Sequence, residues 1–289
     1  MQACIACLVR ACHKGATAAL FFEAHKTMSV APARALALLD ALYGDQDGGQ
    51  DASFSAARRA REISRGAIEA RGDEGGWRHL SYGEVGFVAL RCALQAALKH
   101  VAISEGPAGS EVTPCADQGD RLRARGGDVT EGLRFLDIGS GTGRATLAAA
   151  MLSPRLTSLH GVELIAGLDD LACDALRRYL AEVAPGLPEA HRRQEITFAC
   201  GDALESDWRG VDVAFCCATL FPAALVARVE AKAAAEMRRG AAFILLTHEF
   251  ASSAASGKID AGEAAWTLVD DRERRMSWGP ARVRVYVKR

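Results

Sequence analysis

Three glycines stand between a short apolar run and an alanine-rich run in the stretch FLDIGSGTGRATLAAAM. Glycine permits positive φ angles and lets a ligand approach the backbone without meeting a Cβ atom. If the first run is a strand and the second a helix, unpaired N–H groups of the helix point at that ligand. Gly139, Gly141 and Gly143 therefore predict a ligand-binding turn, with an ordinary tight strand-to-helix connection as the alternative for the glycines taken alone.

Two acidic residues at the ends of later strand-like runs favour the ligand-binding interpretation. Glu163 closes the run HGVEL and lies 20 residues after Gly143, where a carboxylate can accept hydrogen bonds from both hydroxyls of a ribose. Asp202 follows the run EITFAC and can accept a hydrogen bond from an adenine amino group. The carboxyl ends of parallel strands meet at one edge of a sheet, and open α/β folds bind their ligands at that edge.

The residues around the turn indicate which nucleoside it binds. A dinucleotide turn has the pattern G-x-G-x-x-G, whereas the spacing here is G-x-G-x-G and Arg144 follows. Asp137, which comes directly before the turn, would repel a diphosphate but would attract the ammonium of an amino acid. The pattern predicts S-adenosyl-L-methionine as the cofactor, since it carries an ammonium and a sulfonium and no phosphate.

The elements that must position these residues alternate between strand and helix from residue 131 onward. The strand-like runs are LRFLDIG, SLHGVEL, EITFACGD, VDVAFCCATLF and AAFILLTHEF, and helix-like runs separate most of them. This alternation predicts a parallel sheet with helices on both faces. The tail, AAWTLVDDRERRMSWGPARVRVYVKR, predicts two further strands joined by a longer loop. The expected fold is α/β, a seven-stranded, mostly parallel, doubly wound sheet with a terminal antiparallel strand pair.

The rest of the chain is predicted to precede this sheet as two further parts. Residues 1–80 form an N-terminal helical region, for which capping of the sheet, substrate recognition and oligomer contacts remain alternatives. Residues 81–130 hold a Tyr-Gly-Glu loop, an amphipathic helix and a connection rich in Gly, Pro, Asp and Ser. Residues 131–289 form the cofactor-binding domain.

Composition excludes several classes of function. Apolar residues make up 49% of the chain and charged residues 25%, which is typical of a globular protein. The net charge of −1 gives no whole-chain signal for nucleic-acid binding, so none is predicted. The arginines at 58, 59, 61, 65 and 71 are interpreted as a solvated helix face. No apolar run approaches about 18 residues, so no membrane span is predicted.

The nine cysteines indicate the compartment and the absence of a metal. Their scatter is typical of reduced thiols, so we expect an intracellular protein, in the nucleus or cytoplasm. The first 22 residues are basic and free of acids, which leaves organelle targeting as an alternative. Cys4, Cys7, Cys12 and His13 lack a second ligand pair at zinc-finger spacing, so no metal site is predicted.

The order of these motifs resembles a known family. DIGSGTG, followed by VEL, GDAL and a terminal antiparallel pair, resembles the class I S-adenosylmethionine-dependent methyltransferases over roughly residues 131–289. The added motifs SYGEVGF, GDALESDW, VAFCCATLF and FILLTHEF are similar to those of the non-SET histone lysine methyltransferases of the disruptor-of-telomeric-silencing family. The resemblance implies that Tyr82 and Glu84 cover the methionine end of the cofactor, which Asp137 and the glycines hold. It also implies that Glu163 binds the ribose and Asp202 the adenine.

The same resemblance implies which residues surround the group that receives the methyl. The resemblance implies that Tyr82, Thr219 and Phe221 lie beside a lysine channel. A protein is therefore the expected substrate, with histones as one candidate class. The family carries an asparagine near that channel, whereas this chain has Cys216 and Cys217, interpreted as packed thiols. Two alternatives therefore stay open: a methyltransferase acting on a small molecule or another macromolecule, and a non-catalytic binding module with the same fold. The oligomeric state is left open.

Overall fold

The computed structural model describes residues 30–44, 52–71, 83–101, 132–253, 264–276 and 278–289 of the 289-residue chain. Several expectations from the sequence lie outside these residues. They concern the N-terminal cysteines and targeting signal, the helical pattern before residue 30, Tyr82 and the whole of the connection between residues 102 and 131.

The described residues form a seven-stranded sheet with helices on both sides, which confirms the predicted fold class. The helices are α1 (Pro32–Tyr43), α2 (Ala52–Arg71), α3 (Phe87–His100), α4 (Arg144–Leu152), α5 (Ala166–Arg178), α6 (Glu189–Arg192) and α7 (Ala223–Glu236). The strands are β1 (Leu133–Ile138), β2 (Leu156–Glu163), β3 (Glu195–Cys200), β4 (Val213–Cys216), β5 (Ala242–Leu246), β6 (Trp266–Met276) and β7 (Gly279–Lys288). Their order across the sheet is β3-β2-β1-β4-β5-β7-β6.

The register of the parallel strands brings their carboxyl ends to one edge. Ile138 of β1 pairs with Val162 of β2 on one side and with Cys216 of β4 on the other. Glu163, the last residue of β2, pairs with Cys200, the last residue of β3. The chain runs outward from β1 to β3 and then returns to the other side of β1 as β4, so the strand order reverses between β1 and β4. Open α/β sheets bind ligands beside such a reversal.

Two apolar clusters cover the two faces of the sheet. On one face α3 packs against β5 and β7, α4 packs against β1 and β2, and α1 packs on α4. The buried side chains on this face include Leu39, Leu94 and Phe135. On the other face α7 packs over a group of aromatic residues that includes Trp208, Phe243, Phe250, Trp266 and Tyr286. Phe135 and Trp208 are thus core residues.

The helices before the sheet pack against the helices of the core. α1 begins with proline at its first position, where the missing N–H group has no helical partner to lose. α2 rests on the start of α5, where Ala60 packs with Ile165 and Leu168. The arginines at 58, 59, 61 and 65 lie on the exposed face of α2. No helix among the described residues is long and apolar enough to cross a membrane.

The connection between the last two strands is shorter than the sequence predicts. Met276 pairs with Gly279, so only two residues separate β6 from β7 where a longer loop was expected. The charged segment DDRERR lies within β6 and pairs across to β7. The side chains of Asp271 and Arg282 form an ion pair there. Charged side chains suit an edge strand because they discourage pairing with another chain.

One predicted helix ends earlier than its apolar pattern indicates. The run from Gly167 to Val183 predicts a single helix, but α5 ends at Arg178 and the chain continues as one π-helical turn, Tyr179–Val183. Further along the chain, the four residues Glu189–Arg192 form the short helix α6, which the sequence did not predict.

Candidate functional site

The glycine turn connects β1 to α4 through three positive φ angles. These are 74° at Gly139, 56° at Gly141 and 76° at Gly143, values that side chains other than glycine rarely adopt. At Gly143 a Cβ atom would lie 2.4 Å from Cζ of Phe198 and 3.1 Å from Cβ of Ala172. Gly143 is therefore required both for its backbone angle and for close packing beneath the turn.

A cavity of about 700 Å³ opens above the turn, at the carboxyl ends of the parallel strands. Its wall includes most of the residues that the sequence selected. The selected residues that line it are Glu84, Asp137, Gly139, Gly141, Glu163, Asp202, Thr219 and Phe221. Gly143 is the exception, because it faces the packing side of the turn and does not line the cavity. Tyr82 lies outside the described residues, and its neighbour Gly83 lines the cavity.

Asp137 is a buried carboxylate at the end of β1. Its side chain is 1% exposed and accepts a hydrogen bond of 2.7 Å from the hydroxyl of Thr146 on α4. Burial raises the pKa of Asp137 to about 7, and the nearby Glu163 carboxylate adds to the rise, while the Thr146 bond opposes it. A cationic group in the cavity would favour the charged form of Asp137.

Glu163 is held in place by two backbone donors. The N–H of Gly141 donates to Oε2 at 2.8 Å and the N–H of Ile165 donates to Oε1 at 2.9 Å. Burial raises the pKa of Glu163, and these N–H bonds lower it in part. A carboxylate can accept about four hydrogen bonds. Each oxygen of Glu163 therefore retains capacity for a ligand hydroxyl.

Asp202 lines the cavity from the turn just after β3. Its Oδ1 accepts a hydrogen bond of 2.8 Å from the N–H of Leu204, which fixes the side chain within its own turn. The indole N–H of the buried Trp208 donates to the carbonyl of Ala203 at 2.9 Å and anchors that turn from below. Ala203 and Leu204 line the cavity beside Asp202, so an apolar surface adjoins the carboxylate there.

The end of β4 forms a further part of the wall. The hydroxyl of Thr219 lines the cavity and accepts a hydrogen bond of 3.0 Å from the hydroxyl of Thr247. Phe221 lies over the turn, where its ring would be 3.9 Å from a Cβ atom at Gly139. Burial raises the pKa of Cys217 to about 11 and that of Cys216 well above its ordinary value. Both thiols are thus protonated near pH 7, which agrees with their interpretation as packed thiols.

The sequence analysis missed several wall residues, and three of them come from separate parts of the chain. Leu39 reaches the cavity from α1, Arg144 lines it from the start of α4, and Trp278 reaches it from the turn between β6 and β7. A Cβ atom at Gly83 would lie 2.9 Å from the ring of Trp278, so the turn packs against the Tyr-Gly-Glu loop. Of these three residues, only Arg144 could have been noticed from the local sequence. It is a cation at the start of a predicted helix, where the helix dipole favours anions.

The cavity fits S-adenosyl-L-methionine better than a phosphate-bearing cofactor. Its buried acidic residues, Asp137 and Glu163, would repel a diphosphate placed on the glycine turn. Ser140 lines the cavity, and its buried hydroxyl oxygen has no hydrogen-bond partner among the described residues. A buried hydroxyl without a partner is costly, and a polar ligand on the turn would supply one. The described residues contain no cluster of His, Cys, Asp and Glu suited to a metal ion.

Comparison with solved structures finds similar folds among methyltransferases. Magnesium protoporphyrin IX methyltransferase from Synechocystis PCC 6803, solved with bound S-adenosylmethionine, is 15% identical over 78% of this chain and 97% of that one, with a TM-score of 0.45. TrmN from Thermus thermophilus is 22% identical over 55% of this chain and 44% of its own, with a TM-score of 0.38. Fibrillarin from Aeropyrum pernix, with natively bound S-adenosyl-L-methionine, is 16% identical over 54% of this chain and 66% of that one, with a TM-score of 0.36.

These similarities do not assign an activity. No protein-family model matches the sequence, and no curated protein sequence matches it either. At TM-scores below 0.5 the solved structures carry no inference about the acceptor, and one fold hosts many reactions. Function has to be argued from the residues of the cavity.

Proposed function

We propose that this protein is an S-adenosyl-L-methionine-dependent methyltransferase. The observation that carries the proposal is the position of three carboxylates, Asp137, Glu163 and Asp202, which lie at the carboxyl ends of the neighbouring strands β1, β2 and β3 and line one cavity. Their order along the sheet edge suits a ligand with a cationic end, a ribose and an adenine. The left-handed glycine turn beneath them lets such a ligand approach the backbone.

Each carboxylate has a separate role in holding the cofactor. Asp137 would pair with the ammonium of the amino-acid end, and Glu163 would accept hydrogen bonds from the ribose hydroxyls. Asp202 would accept a hydrogen bond from the adenine amino group beside Ala203 and Leu204. When bound, the cofactor supplies a methyl group that a positively charged sulfur has already activated. The protein then has to align the acceptor with that methyl group and exclude water.

We further propose that the acceptor is the amine of a protein lysine, with histones as one class of substrate. No histidine is among the described residues that line the cavity, and Cys217 holds its proton at neutral pH. An amine needs no dedicated base if its pKa is lowered. Deprotonating a lysine of pKa about 10.4 at pH 7 costs about 4.6 kcal/mol, and an apolar surrounding reduces that cost by desolvating the ammonium. Phe221, Leu220 and Trp278 supply apolar surface on the wall.

A small apolar molecule is the second candidate acceptor. Leu220 is 49% exposed and Trp278 is 39% exposed, and both line the cavity. Exposed large apolar side chains at the rim of a cavity suit a flat apolar ligand as well as the stem of a lysine. The two acceptors differ in which pool of molecules would become methylated.

Calorimetric titration with S-adenosyl-L-methionine tests the cofactor proposal. We expect the wild-type chain to bind, and Asp137→Asn and Glu163→Gln to weaken binding by roughly tenfold or more, since each loses a charge-assisted contact. Asp207→Asn is the matched control, because Asp207 is an exposed carboxylate paired with Arg209. Equal affinity of the wild type and both cavity variants would contradict the assignment.

Labelled cofactor then identifies the acceptor. The protein is incubated separately with histones, with extract protein and with extracted metabolites, and the label is followed. Label on lysine in either protein pool supports the proposal. Label in the metabolite pool alone would favour the second candidate, and bound cofactor without turnover in any pool would favour a non-catalytic binding module.

A further inference from the structure

Helix α1 contributes directly to the cavity and to the glycine turn. Leu39 lines the cavity, and Asp40 accepts a hydrogen bond of 2.7 Å from Arg144. The hydroxyl of Tyr43 donates to the carbonyl of Thr142, within the turn, at 2.8 Å. Tyr43 lies one helical turn after Leu39 and Asp40, so the end of α1 presents a single face to the turn. α1 is therefore a wall of the candidate site as well as a cover for the sheet.

Arg144 occupies a position that ordinarily disfavours a cation. It is the first residue of α4, where the helix dipole favours negative charge. Two carboxylates compensate, since its guanidinium lies 2.7 Å from Asp40 and 3.7 Å from Glu84. The guanidinium also lies 5.1 Å from the centroid of the Tyr43 ring. These contacts fix it at the cavity wall, and its five N–H donors exceed what the contacts use.

Ser140 carries a further donor within the same turn. Its unpartnered hydroxyl lies in the glycine turn, close in sequence to Arg144 and to the start of α4. A guanidinium, a hydroxyl and a helix N-terminus all favour an anionic acceptor group. The amino-acid end of S-adenosyl-L-methionine carries a carboxylate beside its ammonium, and Asp137 suits only the ammonium.

We infer that Arg144 and Ser140 bind the carboxylate of the cofactor's amino-acid end, and that Asp40 is a positioning residue that holds Arg144 there. The inference rests on the proposed cofactor. Tyr43 supports the same guanidinium through its ring and fixes the turn through its hydroxyl. Binding of the amino-acid end thus depends on α1, a helix about one hundred residues before the turn in the sequence.

The test compares ligands with and without the amino-acid end. Full-length protein is titrated with S-adenosyl-L-methionine, with S-adenosylhomocysteine and with 5′-methylthioadenosine, which lacks the amino acid. We expect Asp40→Asn to weaken the first two by about tenfold and the third by less than twofold, because only the carboxylate contact is lost. Ser140→Ala should act in the same selective way, and Asp40→Glu should restore most of the affinity.

Arg34→Gln is the matched control on the same helix. It removes a hydrogen bond from α1 to the carbonyl of Gly186 and leaves the contacts of Arg144 intact. If Asp40→Asn weakened the affinity for all three ligands equally, the role of Asp40 would be structural and the inference would be overturned. An unchanged affinity for all three ligands would overturn it as well. Failure of the wild type to bind any of the three ligands would overturn the proposed function itself.

Discussion

Thr247 donates its hydroxyl to Thr219 across 3.0 Å, and it does so from a left-handed backbone with φ of 73°. This conformation is rare for a β-branched residue and costs about 1–3 kcal/mol. Arg284 holds the strained segment, since its Nη1 donates to the carbonyls of Thr247 and His248 at 3.1 and 2.8 Å. Because Arg284 holds Thr247 in this strained conformation, the hydrogen bond from Thr247 fixes the position of the Thr219 hydroxyl at the cavity wall.

Two substitutions at Thr247 separate the backbone strain from the hydroxyl. Thr247→Gly relieves the strain, but it also loses the hydroxyl and adds entropy to the unfolded chain. These effects nearly offset, so the free energy of unfolding should change by no more than about 1 kcal/mol. Thr247→Val keeps the strain and loses the hydrogen bond, so it should lower the free energy by about 1 kcal/mol. Urea denaturation measures both. A larger loss for the glycine variant than for the valine variant would contradict this account.

Cofactor affinity should depend on the protonation of Asp137. With a pKa of about 7, Asp137 is mostly neutral at low pH and cannot pair with an ammonium. Affinity for S-adenosyl-L-methionine should be roughly fifteenfold weaker at pH 5.5 than at pH 7, in proportion to the charged fraction of a group with that pKa. Calorimetry across this range checks the slope. The same slope with 5′-methylthioadenosine, or in Asp137→Asn, would assign it to another group.

The unliganded protein should respond to pH in the opposite sense. The pKa of Asp137 is about 7 when folded and about 3.8 when unfolded, so the folded state holds more protons between these values. Stability from this group is therefore present below about pH 4 and falls as pH rises towards 7, by about 4 kcal/mol at most. The difference between wild type and Asp137→Asn in urea midpoints from pH 4 to 8 isolates the contribution. A difference that grows in favour of the wild type with rising pH would be inconsistent with a buried carboxylate.

Gly143 should tolerate no side chain. Gly143→Ala combines a positive φ with a Cβ atom 2.4 Å from Phe198, so we expect a loss of about 2–4 kcal/mol in the free energy of unfolding. Gly201→Ala is the control, since nothing lies within 4 Å of a Cβ atom there and its φ is not positive. Thermal or urea unfolding should show less than about 0.5 kcal/mol of change for the control. Similar losses at both positions would contradict the packing argument.

Gly86 and Gly66 should respond to alanine in opposite directions. A Cβ atom at Gly86 would lie 2.6 Å from the backbone carbonyl of Arg275, so Gly86→Ala should weaken packing of the Tyr-Gly-Glu loop on β6 and cost about 1–3 kcal/mol. Gly66, within α2, has nothing within 4 Å, and Gly66→Ala should stabilise the chain by about 0.5–1 kcal/mol. Denaturation of both variants checks the pair. A stabilised Gly86→Ala would mean that the loop does not pack there.

Local patterns in the sequence were sufficient to predict the sheet and the carboxylates. The run RATLAAAML matches the bounds of α4, because the glycine turn fixes where the helix begins and the residues are strong helix formers. Asp137, Glu163 and Asp202 could be selected because each follows directly on an apolar run. The chemistry at a strand end is a local property, and the sheet topology then brings such ends together.

Contacts between distant segments could not be predicted in this way. Asp40 and Arg144 lie 104 residues apart, and neither neighbouring sequence indicates the other. The length of the loop between the last two strands was also predicted wrongly, because β6 and β7 stay paired as far as Met276 and Gly279. The ion pairs of Asp271 with Arg282 and Arg284 join these two strands. Gly143 was expected to contact the ligand, since sequence alone does not distinguish a glycine that faces a cavity from one that faces Phe198.

The packing of Trp278 against Gly83 has a consequence for how the chain acquires its site during synthesis. The strands that carry Asp137, Glu163 and Asp202 leave the ribosome before the hairpin that carries Trp278. A nascent chain that ends after β5 would hold every carboxylate, yet its Tyr-Gly-Glu loop would lack the indole that packs on it. The pocket would close only when the last two strands have been translated and have paired.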